Sequence, residues 1–325
     1  MVKIKKIKTE NIVLIGVIII LLAFLIFRSS NRVHYNLPEI KAVNKQDISK
    51  IEIRKSDQSL TLIKKNSKWI IDPQAYPCDN NKINDMIDNV SNLTLTALVS
   101  ESKDYNRYGL DNEKKIVVKV FNIKNQLLRD FEIGKEASSF RHTFVKIPND
   151  IKVYQASDSF RNNFDQKIDA LRDKLVMQFD KNEITEIEIV KDKKKLHFIK
   201  NIKPVEIKTE KKDDKKSYKK TQEQEWLTNN KKKGNSNEIN SIFVELTKLN
   251  CTKYIENKTK EDYTDPIYTI TLNGNKIYTI SIYKKIEGSN NEYPAITSES
   301  PYPFILSSYT ADNIMKKPED LIKEK

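Results

Sequence analysis

Ile48-Ser-Lys-Ile-Glu-Ile-Arg-Lys55 returns later in the chain as Ile184-Thr-Glu-Ile-Glu-Ile-Val-Lys191, and that recurrence decides how the sequence is read. In both stretches apolar and polar residues alternate at period two, the mark of a strand with one face on a core and the other toward water. Each is followed by a second strand, Leu60-Thr-Leu-Ile63 in the first copy and Leu196-His-Phe-Ile199 in the second. A tryptophan beside apolar residues comes next, in Trp69-Ile-Ile71 and Trp226-Leu227. An amphipathic helix then appears in both copies. Ile83, Ile87, Val90 and Leu93 recur as Ile239, Phe243, Leu246 and Leu249, with Asn80 or Asn81 and Ser236 or Asn237 as expected N-caps. Further alternating strands complete each copy: Val117, Phe131–Ile133 and Val153–Tyr154, matched by Ile270–Leu272, Ile280–Ile282 and Phe304–Leu306.

The offset between matched positions is 136 at the first strands, 157 at the tryptophans and about 150 near the end. The jump marks an insertion of about twenty residues ahead of Trp226, in the lysine-rich stretch around Lys203–Lys220. A mixed-charge run of that kind reads as a solvated, mobile loop. The expected fold is α+β: two tandem repeats, residues 45–180 and 181–325, each an antiparallel sheet with one packed helix. The second repeat carries the insertion near 202–222.

Ahead of the repeats, every residue from Ile12 to Phe27 is apolar. Sixteen residues rising about 1.5 Å each give about 24 Å of helix, which snorkelling by Lys8 and Arg28 extends toward the thickness of a bilayer. A cleaved signal peptide would need small residues after the run, whereas Phe27-Arg28-Ser29-Ser30-Asn31 follows. The expectation is a basic cytoplasmic tail (1–10), a transmembrane anchor (11–28) in contact with lipid, and a linker (29–44). Four lysines in the first ten residues place the N-terminus inside and the bulk of the chain outside the cytoplasmic membrane.

The net charge of +13 is not spread over folded surface. Residues 1–33 carry six basic side chains against Glu10, and residues 200–233 carry twelve lysines against six acids, leaving a surplus of two elsewhere. A nucleic-acid binder concentrates basic charge on a folded face, so that class is set aside. Six scattered glycines, at 16, 109, 134, 234, 274 and 288, exclude the phosphate loop, the dinucleotide fingerprint and the nucleophile elbow. His34, His142 and His197 share no metal-ligand spacing. His197 reads as a structural histidine on a strand, and His142 as a surface turn residue. Cys78 and Cys251 form no CxxC; two isolated, partly buried thiols are the plainer reading, with a disulfide left open. No catalytic residue, cofactor, metal or small-molecule substrate is inferred.

Tyr105-Asn-Arg-Tyr-Gly-Leu-Asp111, set after the helix, completes a pattern with Ile51-Glu-Ile53, Trp69-Ile-Ile71, Phe131-Glu-Ile-Gly134 and Val153-Tyr154. This resembles domain-of-unknown-function family 4340 over residues 45–180, with the second unit a divergent copy. The family's usual proline after Tyr-Gly-Leu is replaced by Asn112 and Glu113; the second unit keeps Tyr263 and Pro266 but lacks the Gly-Leu and the glycine after Ile282. Trp69, Tyr108, Gly109, Leu110, Gly134 and Trp226 are thus the motif residues, read physically as structure.

The resemblance implies an N-terminal anchor, an extracytoplasmic bulk and genes beside gliding-motility-type ABC transport components, with no established activity. The expected function is that of a non-enzymatic accessory protein of the bacterial envelope, its partner an ABC-type permease. Two alternatives stand beside it. One is an envelope polyanion binder acting through Lys211, Lys212, Lys215, Lys216, Lys219 and Lys220. The other is an extracytoplasmic hydrolase.

Overall fold

A computed structural model describes residues 9–29, 35–209, 217–286, 288 and 292–323. The chain forms two compact units, Met1–Leu171 and Arg172–Lys325. Ahead of the first sheet runs helix α1 (Thr9–Ser29).

In the first unit, β1 (Lys50–Arg54), β2 (Ser59–Lys65), β3 (Lys68–Asp72) and β4 (Tyr76–Pro77) lead into helix α2 (Asn80–Ser91). They are followed by β5 (Leu95–Ser100), β6 (Ile116–Phe121), β7 (Leu127–Glu136), β8 (Thr143–Lys146) and β9 (Val153–Ala156). Two single-turn helices, α3 (Arg161–Phe164) and α4 (Ile168–Leu171), end the unit. All nine strands join one antiparallel sheet in the order β4-β3-β2-β1-β6-β7-β8-β9-β5.

The second unit opens with β10 (Leu175–Gln178), β11 (Glu186–Lys191), β12 (Lys194–Thr209) and β13 (Ser217–Thr228), then helix α5 (Ser236–Leu246). After it come β14 (Lys248–Asn250), β15 (Lys253–Tyr254), β16 (Tyr268–Asn273), β17 (Ile277–Ile282), β18 (Glu292–Thr297), β19 (Phe304–Ser307) and helix α6 (Ser308–Ile314). Eight of these strands form an antiparallel sheet, β13-β12-β11-β16-β17-β18-β19-β15, while β10 and β14 pair separately. Strand for strand, the order from β3 to β5 in the first unit reappears in the second.

The register repeats as well. Ile51 lies opposite Leu62 on one side and Val120 on the other, and Ile187 lies opposite Phe198 and Leu272. Alternation dictates this, because a slip of one residue would turn the apolar set out to water. The buried positions Ile51 and Ile53, and Ile187 and Ile189, then face the helix of their own unit. Helix α2 buries Ile83, Met86, Ile87 and Val90; α5 buries Ile239, Ile242, Phe243 and Leu246 at the same four places. At about 1.5–3 kcal/mol for each fully buried apolar side chain, that stripe is what docks each helix. Leu93 and Leu249 are buried too, but lie beyond the helix ends.

Four details depart from expectation. The N-caps are Asp79 and Asn235, each one residue earlier, whose side chains accept from the backbone N–H of Asn81 and Asn237. Asp-Asn-Asn and Asn-Ser-Asn are runs of capping residues, and only the extended backbone at the first of each makes it the cap. The insertion is not a loop along most of its length. It lengthens the β12–β13 hairpin, in which twelve residue pairs run from Phe198–Thr228 to Thr209–Ser217. The segment at 35–44 is not a free linker: Leu37, Ile40 and Val43 pack on the first core. Each unit also holds short helices beyond its one packed helix.

Val13 to Leu25 of α1 present every large apolar side chain to solvent. Among the described residues no helix is long and apolar enough to cross a membrane. Residues 1–8 of the basic tail and 30–34 of the linker, with His34, lie outside the described residues.

Candidate functional site: the Tyr-Gly-Leu turn and its counterpart

The motif residues of the first unit meet in one place. Asn106–Tyr108 form a single 3-10 turn that Gly109 ends in the left-handed conformation, φ 65° and ψ 30°, donating to Asn106 O at 3.1 Å. Leu110 then turns inward, 2% exposed. The turn lies directly on β7 at Gly134. A Cβ at Gly134 would stand 2.3 Å from Tyr108 O and 2.9 Å from Leu110 Cγ; one at Gly109 would stand 3.0 Å from Lys135 N. The two glycines therefore serve one close approach of backbone to backbone. The Tyr108 ring sits edge-on to Phe144, centroids 5.1 Å apart, and Tyr105 Oη donates to Ile151 O at 3.1 Å. Asp111 Oδ1 accepts from the N–H groups of Glu113 and Lys114, fixing the exit of the turn.

Arg161, from α3, ties the clasp from the far side. Its Nη1 donates to Gly134 O at 2.9 Å, its Nη2 to Lys114 O at 2.7 Å, and its Nε lies 3.4 Å from Asp165 Oδ2. Sequence reading missed this residue, which stands 27 positions from Gly134 with no spacing to announce it. Arg129 was missed as well: it is buried, and donates to the carbonyls of Val90, at the end of α2, and Lys41, so it pins the segment before β1. What these groups do together is hold backbone.

In the second unit Tyr283 follows Ile282 as Gly134 follows Ile133, since Ile282 and Ile133 pair with Tyr268 and Ile116 at matched places. Its hydroxyl donates to Tyr263 O at 3.2 Å and its ring lies 5.1 Å from that of Tyr263. Burial pushes the Tyr283 phenol up. The preceding turn, Lys260–Asp262, is closed by Thr259 N–H donating to Asp262 Oδ2 at 2.7 Å.

Trp69 and Trp226 are both buried on the hairpin strands, Trp226 stacked on Phe243 at 5.8 Å. Cys78 and Cys251 are buried and form no disulfide, and burial, with the nearby charge of Asp79, pushes the Cys78 thiol up to about 12. His142 Nδ1 lies 3.0 Å from Ser139 Oγ within a turn. His197 on β12 is held by Asn229 at 2.9 Å and lies 3.5 Å from Glu186. Among the described residues no group of three or more His, Cys, Asp or Glu could hold a metal ion.

Of the proposed polyanion contacts, Lys211, Lys212, Lys215 and Lys216 lie outside the described residues, and Lys219 and Lys220 fall on β13. The structure brings other lysines together. Glu225 is bonded by Lys203 at 2.5 Å, Asn201 at 2.9 Å and Lys233 at 3.2 Å, which pull its carboxyl down to about 2. Beside it a cavity of about 710 Å³ is lined by Asn230, Lys231, Lys232, Lys233, Glu319, Ile322 and Lys323.

A family model described as a domain of unknown function, DUF4340, matches residues 69–266. The match runs from Trp69 through the Tyr-Gly-Leu turn and Gly134 to Pro266 in the second unit. No curated protein and no solved structure matches the chain.

Proposed function

Because the chain belongs to domain-of-unknown-function family 4340, we propose that it is a membrane-anchored, non-enzymatic accessory protein whose duplicated units bind a membrane partner, an ABC-type permease of the bacterial envelope. The observation that carries the reading is β13. Pairing with β12 takes one side of it; on the other side Trp226–Thr228 are bonded by the turn at Lys232–Gly234, and Ser217–Glu225 have no strand partner among the described residues. An edge of that length is a template on which a partner's strand pairs through main-chain hydrogen bonds.

The comparison of the two hairpins strengthens this. Lys64 pairs with Trp69, and Lys200 with Trp226, at matched positions. Four residues lie between the members of the first pair and twenty-five between those of the second, so the second hairpin is twenty-one residues longer. The first closes at once through Asn66 and Ser67, both at positive φ, as a two-residue hairpin turn requires. The core of a unit therefore needs no longer hairpin, and the extension is free to serve contact. The exposed apolar side chains of α1 support the anchor: they call for lipid or an apolar partner. With N-terminus inside, the two units stand outside the cytoplasmic membrane.

The test is crosslinking in intact membranes followed by purification of the tagged chain. Permease subunits should be recovered with the natural protein. They should be lost when residues 202–224 are replaced by the Asn-Ser turn of the first hairpin, a change that leaves the Trp226 core in place. Recovery of the same subunits with the short hairpin would overturn the edge-strand reading, and recovery of none with the natural protein would overturn the partner.

A further inference from the structure

The lysine-lined cavity of the second unit rests on a fixed frame. Thr228 holds the turn after β13: its carbonyl accepts from Lys231 N–H at 2.8 Å, its hydroxyl from Lys232 N–H at 3.0 Å, and its N–H donates to Lys232 O at 2.9 Å. The C-terminal segment closes the other wall, with Lys323 N–H donating to Lys233 O at 2.9 Å. Lys231, Lys232, Lys233 and Lys323 thus stand around one hollow with a single carboxylate, Glu319, among its lining residues. Of the four, Lys233 is already shared with Glu225.

Nothing in the shared fold demands this charge. The corresponding turn of the first unit, Asp72-Pro-Gln-Ala-Tyr-Pro77, contains no lysine, yet makes the same ladder contact: Ile70 pairs with Pro77 as Leu227 bridges to Lys233. Holding like charges around one hollow opposes folding unless a counter-charge enters, and the second copy alone does so.

We propose that this cavity binds a phosphate-bearing anion. Ammonium groups are compact point-charge donors suited to phosphate oxygens, and several converging on one hollow match an anion with more than one charged oxygen. A volume of about 710 Å³ lies in the range of small-molecule sites, so a phosphoryl group with an attached organic moiety fits as well as a free phosphate. The site is independent of the permease reading and uses none of the lysines at 211–220.

Calorimetric titration of the full chain in neutral detergent tests it with two probes, inorganic phosphate and glycerophosphoglycerol, the latter the soluble headgroup of an anionic lipid. Saturable binding of either is expected, weakening at least about tenfold in Lys231→Gln/Lys232→Gln/Lys323→Gln and falling with added salt. Tighter phosphate binding would identify a free phosphate or monoester; tighter glycerophosphoglycerol binding would identify a lipid headgroup. Substituting Lys211, Lys212, Lys215 and Lys216 by Gln should leave the affinity unchanged. The proposal falls if the natural chain binds neither probe, if the cavity variant binds both as before, or if binding is lost only in the hairpin variant.

Discussion

Gly134 and Tyr283 occupy the same place in two copies of one fold and hold the same kind of turn against the same strand by opposite means. In the first unit the absence of a side chain lets Tyr108 O come within 2.3 Å of where a Cβ would be. In the second a tyrosine stands at the matched position and reaches the turn with its hydroxyl, 3.2 Å from Tyr263 O. A contact that survives the exchange of its chemistry is selected for packing. The Tyr-Gly-Leu turn is thus a device for seating backbone on β7.

The strongest way to break this comparison is Gly134→Val. Its Cβ meets a backbone carbonyl, which cannot swing aside as the end of a side chain can, so the turn or the strand must move. Overpacking of this kind should destabilise the first unit by about 3 kcal/mol. The chain has two tryptophans, one in each unit, so denaturant unfolding in Trp226→Phe and Trp69→Phe backgrounds reports on one unit at a time. The midpoint read by Trp69 should fall and that read by Trp226 should stay. Equal loss at both would mean that the units unfold together and that the clasp is not local to the first.

Tyr283→Phe sharpens the comparison from the other side, with a smaller effect. It keeps the ring against Tyr263 and removes only the donor to Tyr263 O, worth about 1 kcal/mol for a neutral hydrogen bond. Here the Trp226 signal should shift and the Trp69 signal should not. A loss near 3 kcal/mol would show that the hydroxyl bears as much as the glycine does, and that the two solutions are energetically alike.

How far the sequence disclosed all this depends on whether a feature is periodic. Ile51 and Ile187, or Ile83 and Ile239, announce themselves because burial on one face of a strand or helix imposes a period on the residues. From such positions the duplication, the sheets and both helices were readable, and so was the family, since Trp69, Gly109 and Gly134 keep their order. The hairpin from Lys203 onward was not. Between Lys203 and Glu225 the sequence is rich in Lys, Glu and Gln, so composition suggested a loop where β12 and β13 run on in register. Arg161 and Arg129 were hidden for another reason: each ties backbone carbonyls far away in sequence, and a carbonyl carries no residue type to recognise. The cavity lysines escaped because Lys323 joins Lys231–Lys233 only through the fold.

The smallest effect is electrostatic, and again only one copy has it. Lys68 occupies in the first hairpin the place that Glu225 occupies in the second, one residue before the tryptophan in each. Hydrogen bonds from Lys203, Asn201 and Lys233 hold the Glu225 carboxyl at about 2, against 4.5 for an unperturbed glutamate. A carboxyl depressed in the folded state lends stability that is fully present above its unfolded value and disappears as pH falls through its folded one. The contribution should therefore be complete above about pH 4.5 and gone near pH 2. Because the two lysines that hold it are themselves exposed, the effect is modest and salt should screen it. Acid titration followed by Trp226 emission, in the Trp69→Phe background, should show a limb between those values that Glu225→Gln flattens, while the Trp69 signal is indifferent to the substitution. An unchanged limb in Glu225→Gln would assign the acid sensitivity to other carboxylates and leave the lysine pair as surface charges without a folding role.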